Sequence, residues 1–412
     1  MGRRMEAPVT GGAAERRLAV TIVTSALPRA GGADMVHVRR WRELARHASV
    51  VVVMPVPWTP PGLARRSPRW AAYSQMPATT EVDGLTVHHP RYVQLPLAAF
   101  APWAGASMAL GARGVVRALR RAGACDVLFG QSILPDGLAA VLLGRFAGAP
   151  AACLGRGSDV NVTSRQTAAG RRLAAWTVRH ADAVAVVAHD LAATLADIAR
   201  SARPQVLYNG IDLERFSPGD RAAARRELGI AGEHPIVLFV GRVAGGKGLG
   251  DLVEAFAQVA RTRPAVRLAL VGDGPLRQEL SDRAARAGVG GRVDLVGEVP
   301  YDDVARWMRA ADVLALASEN EGFPNVVREA LACGRPVVST AVGDVPRIVT
   351  PDAGRLVPVG SPTALAEALG AVLDGSWNPG HLRGKVEHMT WAANADATYR
   401  FLHAAVERKR AA

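Results

Sequence analysis

The chain has 412 residues, 49% hydrophobic and 21% charged, with a net charge of +13. That length and apolar fraction suit two or three domains, each burying its own core, and they exclude a disordered tail protein. No uninterrupted apolar run reaches the ~20 residues of a membrane span. Cys125, Cys153 and Cys333 lie too far apart for a disulfide framework or a thiolate zinc site, which points to a reducing compartment.

From the N-terminus, residues 18–27 read LAVTIVTSAL after a polar lead, with no A-x-A cleavage signal. They predict a buried first strand over 18–24 rather than a secretory leader. Residues 33–47 predict a basic amphipathic helix opening at Gly31-Gly32, with Val36, Val38, Trp41 and Leu44 apolar among Arg39, Arg40, Arg42 and Arg46. A second apolar run, 50–54, predicts a buried parallel strand. Residues 55–77 are rich in Pro and Arg and read as a long loop or lid. Further strands are expected at 127–130, 151–154 and 183–187. His88-His89 sit at a strand edge before Pro90, without the carboxylate spacing of a metal site.

The charge is uneven: residues 1–200 hold 24 Arg against 12 Asp plus Glu, while the remainder is nearly neutral. A basic first half suits an anionic partner. Arg39 to Arg46, with Arg113, Arg117, Arg120 and Arg121 at helical spacing, could face an anionic membrane, and a merely solvated helix face is the alternative.

Pro204, Asn209-Gly210, Pro218 and Gly219 supply turn chemistry over 201–220, and the strand–helix rhythm then restarts. Strands are expected at 236–240, 266–271, 293–296, 313–316 and 337–339, with helices near 250–260, 276–287, 302–310 and 325–333. The alternation predicts an α/β chain of two doubly wound Rossmann-like domains facing across a cleft. The division is 1–200 for a first, acceptor-side domain, 201–220 for the crossover and 221–388 for a second, nucleotide-binding domain. Residues 389–412 form a helix returning to the first domain.

Two motifs carry chemistry. Strand 236–240 runs into Gly241-Arg242-Val243-Ala244-Gly245-Gly246-Lys247-Gly248, a glycine loop bearing two cations. Glycines admit phosphates close to the backbone, and Arg242 with Lys247 can neutralise a diphosphate. Lys247 is one of only three lysines, and Gly248 stands where a Walker loop has Ser or Thr, so a Walker NTPase is disfavoured. The second motif runs from Ser318 through Glu321, Gly322, Phe323, Pro324, Asn325 and Val326 to Glu329. Pro324 suits a first helical turn, and free N–H groups from Asn325 onward offer an anion site. Glu321 and Glu329 would stand about 12 Å apart along a helix. They could meet the two ends of a sugar–diphosphate–nucleoside; an N-cap and a surface residue are the plain alternative.

These motifs, with Tyr208-Asn209-Gly210-Ile211-Asp212 at the crossover, resemble the retaining GT-B glycosyltransferases of family 4. Gly31-Gly32 resembles that family's donor-side glycine loop, which adds Gly32 to the donor contacts. Residues 55–60, 135–137 and 156–161 resemble members that build teichuronic acid or exopolysaccharide.

The resemblance implies that Arg242 and Lys247, in the loop opened by Gly241, hold the donor diphosphate as leaving group. It implies that Glu321 and the backbone of Gly322, Phe323, Pro324, Asn325 and Val326 contact the transferred sugar and distal phosphate. Glu329 would take the ribose hydroxyls, and backbone near Val299 would border the nucleobase. Attack on the same face, with the departing phosphate accepting the proton, is also a family implication. Asp159 is the candidate positioning carboxylate on the acceptor side, its plain alternative being a turn residue. Arg156, where many members have histidine, and Asn209 complete the acceptor or sugar side. A family Gly-x-Pro-Glu turn reads Val345-Pro346-Arg347 here and loses a carboxylate.

The expected activity is metal-independent transfer from a UDP- or GDP-linked sugar to a lipid-linked or polysaccharide acceptor in cell-surface glycan synthesis. No cofactor and no nucleic acid are expected. The expected place is the cytoplasm, with a peripheral contact at the inner face of the cell membrane. A GT-B-like isomerase or phosphorylase, and a non-enzymatic basic binding module, are the alternatives. A phosphorylase would need a cofactor-anchoring lysine, and a nucleic-acid binder would want more aromatics than 5%.

Overall fold

A computed structural model describes residues 16–26, 35–60, 62, 68–94, 103–164 and 167–411. Continuous apolar runs become the inner strands of two sheets. The first has eight strands, with Ala19–Val23 between Ser49–Val53 and Val127–Gly130; Ala151–Gly155, Ala183–Val186 and Gln205–Val206 extend one side. The other side ends in Leu85–His88 and Thr79–Val82, an antiparallel hairpin, while every other pairing in the sheet is parallel. The second sheet is wholly parallel, in the order Val293–Gly297, Arg267–Val271, Ile236–Val240, Val313–Leu316, Val337–Thr340, Gly354–Val357. The molecule is therefore two Rossmann-like α/β units.

In the second sheet the winding reverses between Ile236–Val240 and Val313–Leu316, which lie side by side. Ligands of such sheets sit at the strand C-termini of this switch point. Both chemical motifs start there, one from each strand.

Residues 55–77 are more ordered than a loop: Val56–Pro57 pairs with Arg91–Tyr92, and Pro68–Gln75 is helical. Residues 61 and 63–67 lie outside the described residues, as does the Gly31-Gly32 loop; the helix that follows it spans Met35–Leu44.

The last helix, Trp391–Ala411, packs against Met35–Leu44 and the strands of the first sheet, burying Phe401, Leu402, Ala405 and Val406. It is fastened at the crossover, where Ile211 N–H donates to Met389 O at 2.7 Å. A Cβ on Gly210 would lie 2.4 Å from Trp391 Cα and 2.5 Å from its N. Gly210→Ala should therefore push the helix off the crossover and cost about 1–3 kcal/mol. Urea unfolding checks this, and an unchanged midpoint would contradict it.

The basic face of Met35–Leu44 is divided. Arg42 and Arg46 are exposed, but Arg40 is only 2% exposed and Arg39 pairs with Asp212 at 2.5 Å. Two of the four arginines expected on this helix's membrane face thus turn toward the crossover, which corrects the expectation for Arg39 and Arg40. Arg113, Arg117, Arg120 and Arg121 are exposed along Ala104–Arg121. Among the described residues no helix is long and apolar enough to cross a membrane.

Candidate functional site

The glycine loop closes directly onto the second motif. Gly248 has φ +59, and a Cβ there would lie 1.9 Å from Ala317 O, so only glycine lets the loop dock on the neighbouring strand end. Glu319 N–H donates to Gly246 O at 3.0 Å, tying the two segments together. Across this seam Lys247 Nζ meets Glu321 Oε1 at 2.6 Å, and Ser318 Oγ donates to the same oxygen at 2.8 Å. Arg242 is exposed at the loop's start and makes no ion pair among the described residues. Val299 is half-buried beyond strand Val293–Gly297.

Pro324 takes the N-cap position rather than the first helical turn (φ −65, ψ 127), and the helix spans Asn325–Ala332. Its leading N–H groups have no intrahelical partner and carry the positive end of the helix dipole. Phe323 is buried against Tyr208, with ring centroids 4.7 Å apart. Gly322 lies against Ala188 and Leu191 of the first unit, and Val326 is half-buried. Glu329 is 6% exposed, not a surface residue, and accepts from Tyr301 Oη at 2.8 Å. Burial pushes its carboxyl up. Arg39 and Arg215 flank the Tyr301 ring at 5.3 and 5.0 Å.

On the facing side, Asp159 is buried and held by backbone amides. Its carboxylate accepts from Ile133 N at 2.7 Å, Arg156 N at 2.9 Å and Gly157 N at 3.0 Å. Three backbone amides thus hold it as the organiser of the Arg156-Gly157 turn. These contacts are those of the turn residue named above as the plain alternative to a positioning carboxylate.

The Arg156 guanidinium reaches His37, Nη1 to Nδ1 being 3.1 Å. Burial, then Arg156 and Arg40, push the His37 imidazole down to about 2. His37 therefore stays neutral where an unfolded histidine protonates, near 6.5. The unfolded chain binds the extra proton, so this site's contribution to stability falls as pH drops below that value. His37→Gln should flatten the acid limb of a stability–pH curve by at most about 1.4 kcal/mol per pH unit. Denaturant midpoints between pH 4 and 7, set as experimental conditions, check it; parallel curves for both proteins would contradict it.

Asn209 joins the two units. Its Oδ1 accepts from Arg40, its backbone O accepts from Arg328, and its Nδ2 donates to Asn325 Oδ1 at 3.3 Å. Three residues before Arg347, which stands where the family turn has its glutamate, lies another carboxylate. Asp344, 2% exposed, accepts from His189 N at 2.7 Å and Tyr208 Oη at 3.2 Å. Gly32 lies outside the described residues. His37, Arg40, Arg328, Tyr301, His189 and Asp344 are the cleft residues that motif reading did not assign.

The arrangement offers two cations and a helix N-terminus to a diphosphate, and two carboxylates to hydroxyl groups. Among the described residues no three carboxylate, imidazole or thiolate groups converge as a metal site.

Known proteins show the same two-part construction. Residues 42–215 match the model described as Glycosyltransferase Family 4, and residues 220–387 match Glycosyl transferases group 1. By its domains the chain belongs to the family 4 glycosyltransferases. It is 37% identical over 232 residues to a D-inositol 3-phosphate glycosyltransferase of Mycobacteroides abscessus, covering 53% of this chain and 51% of that protein. The corresponding protein of Kribbella flavida is 36% identical over 226 residues, covering 51% of this chain and 53% of its own. The chain spans about half the length of the curated relatives it matches.

The fold is that of sucrose-phosphate synthase from Thermosynechococcus elongatus. That likeness has a TM-score of 0.73 at 24% identity and covers 94% of this chain and all of that one. Anabaena HepE, solved in complex with UDP-glucose, gives 0.63 at 20% identity over 95% of this chain and 97% of its own. In this family 4 chain the first match falls on the eight-stranded sheet and the second on the six-stranded one.

Proposed function

We propose that this chain is a retaining glycosyltransferase that moves a sugar from a nucleoside-diphosphate sugar to an acceptor hydroxyl. Residues 221–388 hold the donor and residues 1–200 face the acceptor. The observation that carries the reading is the 2.6 Å contact between Lys247 and Glu321, which brings the glycine loop and the E-x7-E helix to one point.

Departure of the nucleoside diphosphate builds negative charge on the β-phosphate. Arg242, Lys247 and the N–H groups from Asn325 onward stabilise that charge without a metal ion, in a cleft whose backbone geometry is set beforehand. Glu321, released from Lys247 by the diphosphate, holds the sugar, and Glu329 takes the ribose hydroxyls. Retention then follows from attack on the face the phosphate leaves, with the departing phosphate taking the acceptor proton.

A lipid-linked or polysaccharide hydroxyl fits a role in cell-surface glycan synthesis, teichuronic acid and exopolysaccharide included. The relatives named for D-inositol 3-phosphate favour a phosphorylated cyclitol as a second acceptor class. The exposed arginines of Ala104–Arg121 would serve a membrane-borne acceptor.

Thermal-shift titration with UDP-, GDP- and ADP-linked sugars tests the reading. A ligand at a hundred times its Kd adds about 2.7 kcal/mol of apparent stability. At least one nucleotide sugar should raise Tm, and product NMR should show the donor's anomeric configuration kept. No shift with any of them would overturn the assignment.

A further inference from the structure

Three guanidinium groups from both units lie near enough that Arg156 and Arg328 each act on Arg40. Arg40 comes from helix Met35–Leu44, Arg156 from the turn after strand Ala151–Gly155, and Arg328 from the E-x7-E helix. Arg40 is 2% exposed and Arg328 fully buried, yet none of the three makes an ion pair within 4 Å among the described residues; the carboxylates of Asp136 and Asp159 act on Arg156, and that of Glu329 on Arg328, from farther off. Arg40 Nε and Nη1 and Arg328 Nε are buried without a hydrogen-bond partner. Buried charges of one sign are costly unless paired. Burial and the neighbouring guanidinium groups push Arg40 down to about 9, and burial pushes Arg328 down to about 10.

His37, neutral beside Arg156, adds a polar group without a further charge. Arg156 and His37 are half-buried, and Arg40 and Arg328 lie beneath the surface. The cluster spans the two units, because Arg40 binds Asn209 Oδ1 and Arg328 binds Asn209 O and Asn325 Oδ1. Asn325 opens the helix that would meet the transferred sugar, so the cluster stands about one helical turn from it.

We propose that Arg40, Arg156 and Arg328 form an oxyanion site, separate from Arg242 and Lys247, for a carboxylate or phosphate borne by a sugar substrate. The inference rests on the glycosyl-transfer reading and adds a substrate class to it: one reactant is acidic. Guanidinium forks suit planar carboxylates and phosphates in two-point contact. The acid group can be carried by the donor's sugar, as in a uronic acid, or by the acceptor, as in a polyol phosphate. An acid bound there touches both units and would hold the cleft closed.

The test is calorimetric titration of inorganic phosphate into protein pre-saturated with UDP and GDP, so that Arg242 and Lys247 are occupied. Wild type should bind phosphate, and Arg156→Met should weaken that binding at least tenfold. Arg156→Met changes a half-buried residue and disturbs the core least; Arg40→Met is the second variant, and nucleotide binding by each reports an intact fold. Two arms then locate the acid. Tighter binding of UDP-glucuronate than UDP-glucose, lost in Arg156→Met, places it on the donor. Faster donor turnover with inositol phosphate than with inositol, lost in the same variant, places it on the acceptor. Phosphate binding that is absent from wild type or indifferent to Arg156→Met and Arg40→Met overturns the site, yet leaves glycosyl transfer standing if nucleotide sugars still bind. Failure of every nucleotide sugar to bind removes the transfer reading instead, and the phosphate comparison remains decisive for the cluster.

Discussion

Lys247→Ala should lower kcat/KM by about two to three orders of magnitude, the usual effect of deleting one preorganised charge at a developing anion. Two effects combine. The β-phosphate loses its ammonium partner, and Glu321, its side chain 15% exposed, loses the cation it faces at 2.6 Å. The uncompensated carboxylate would then repel the incoming diphosphate. Lys247→Arg keeps the charge but replaces a compact ammonium by a wide fork, so partial recovery is expected. Lys247 is partly exposed, with 31% of its side chain accessible, so the fold should tolerate the change and Tm should move little. Steady-state kinetics beside a melting curve checks this. Wild-type turnover would remove the leaving-group role.

Gly343→Ala should reduce kcat about a hundredfold through geometry alone. Gly343 has φ +53, and a Cβ there would lie 2.2 Å from Glu321 O and 2.3 Å from Gly322 O. Left-handed backbone costs a non-glycine residue about 1–2 kcal/mol. The larger consequence is that the Glu321-Gly322 backbone must retreat, with Asp344 N–H, which donates to Gly322 O at 2.8 Å, moving too. A shift near 1 Å at a sugar-positioning segment can cost about a hundredfold. Nucleotide affinity should change far less than kcat, because Arg242 and Lys247 lie on another loop. Unaltered kcat would show that this backbone contact does not position the sugar.

The parallel strands were legible because strands buried on both faces are continuous apolar runs, as in Ile236–Val240. Strand Gly354–Val357 was not: it is fully buried only at its two ends, and Gly354 and Arg355 disguise it. The hairpin Thr79–Val82 with Leu85–His88 turns at Asp83 and Gly84, both with positive φ. Its Asp-Gly signal was available but lay hidden behind the paired histidines that follow.

The glycine loop and the E-x7-E element were legible because their chemistry is local in sequence. The arginine cluster was not. Periodicity assigns charged residues to a solvent face, but a helix at the seam between two units has two covered sides. Val38, Trp41 and Leu44 take one and Arg40 the other. Arg328 is hidden for a similar reason, since its helix meets the crossover at Asn209. Asp344 was not legible because its contacts reach across to the first unit and the crossover: it accepts from His189 N and Tyr208 Oη, while Arg347 Nε faces it at 3.4 Å.

Helix Trp391–Ala411 covers strands that leave the ribosome about 200 to 270 residues earlier, Phe401 standing against Phe129 with centroids 6.3 Å apart. The amino-terminal unit must therefore wait, one flank bare, until translation has passed through the entire carboxy-terminal unit. Its assembly depends on a helix made after the second unit, so nascent chains stalled before that helix should be ready clients for chaperones.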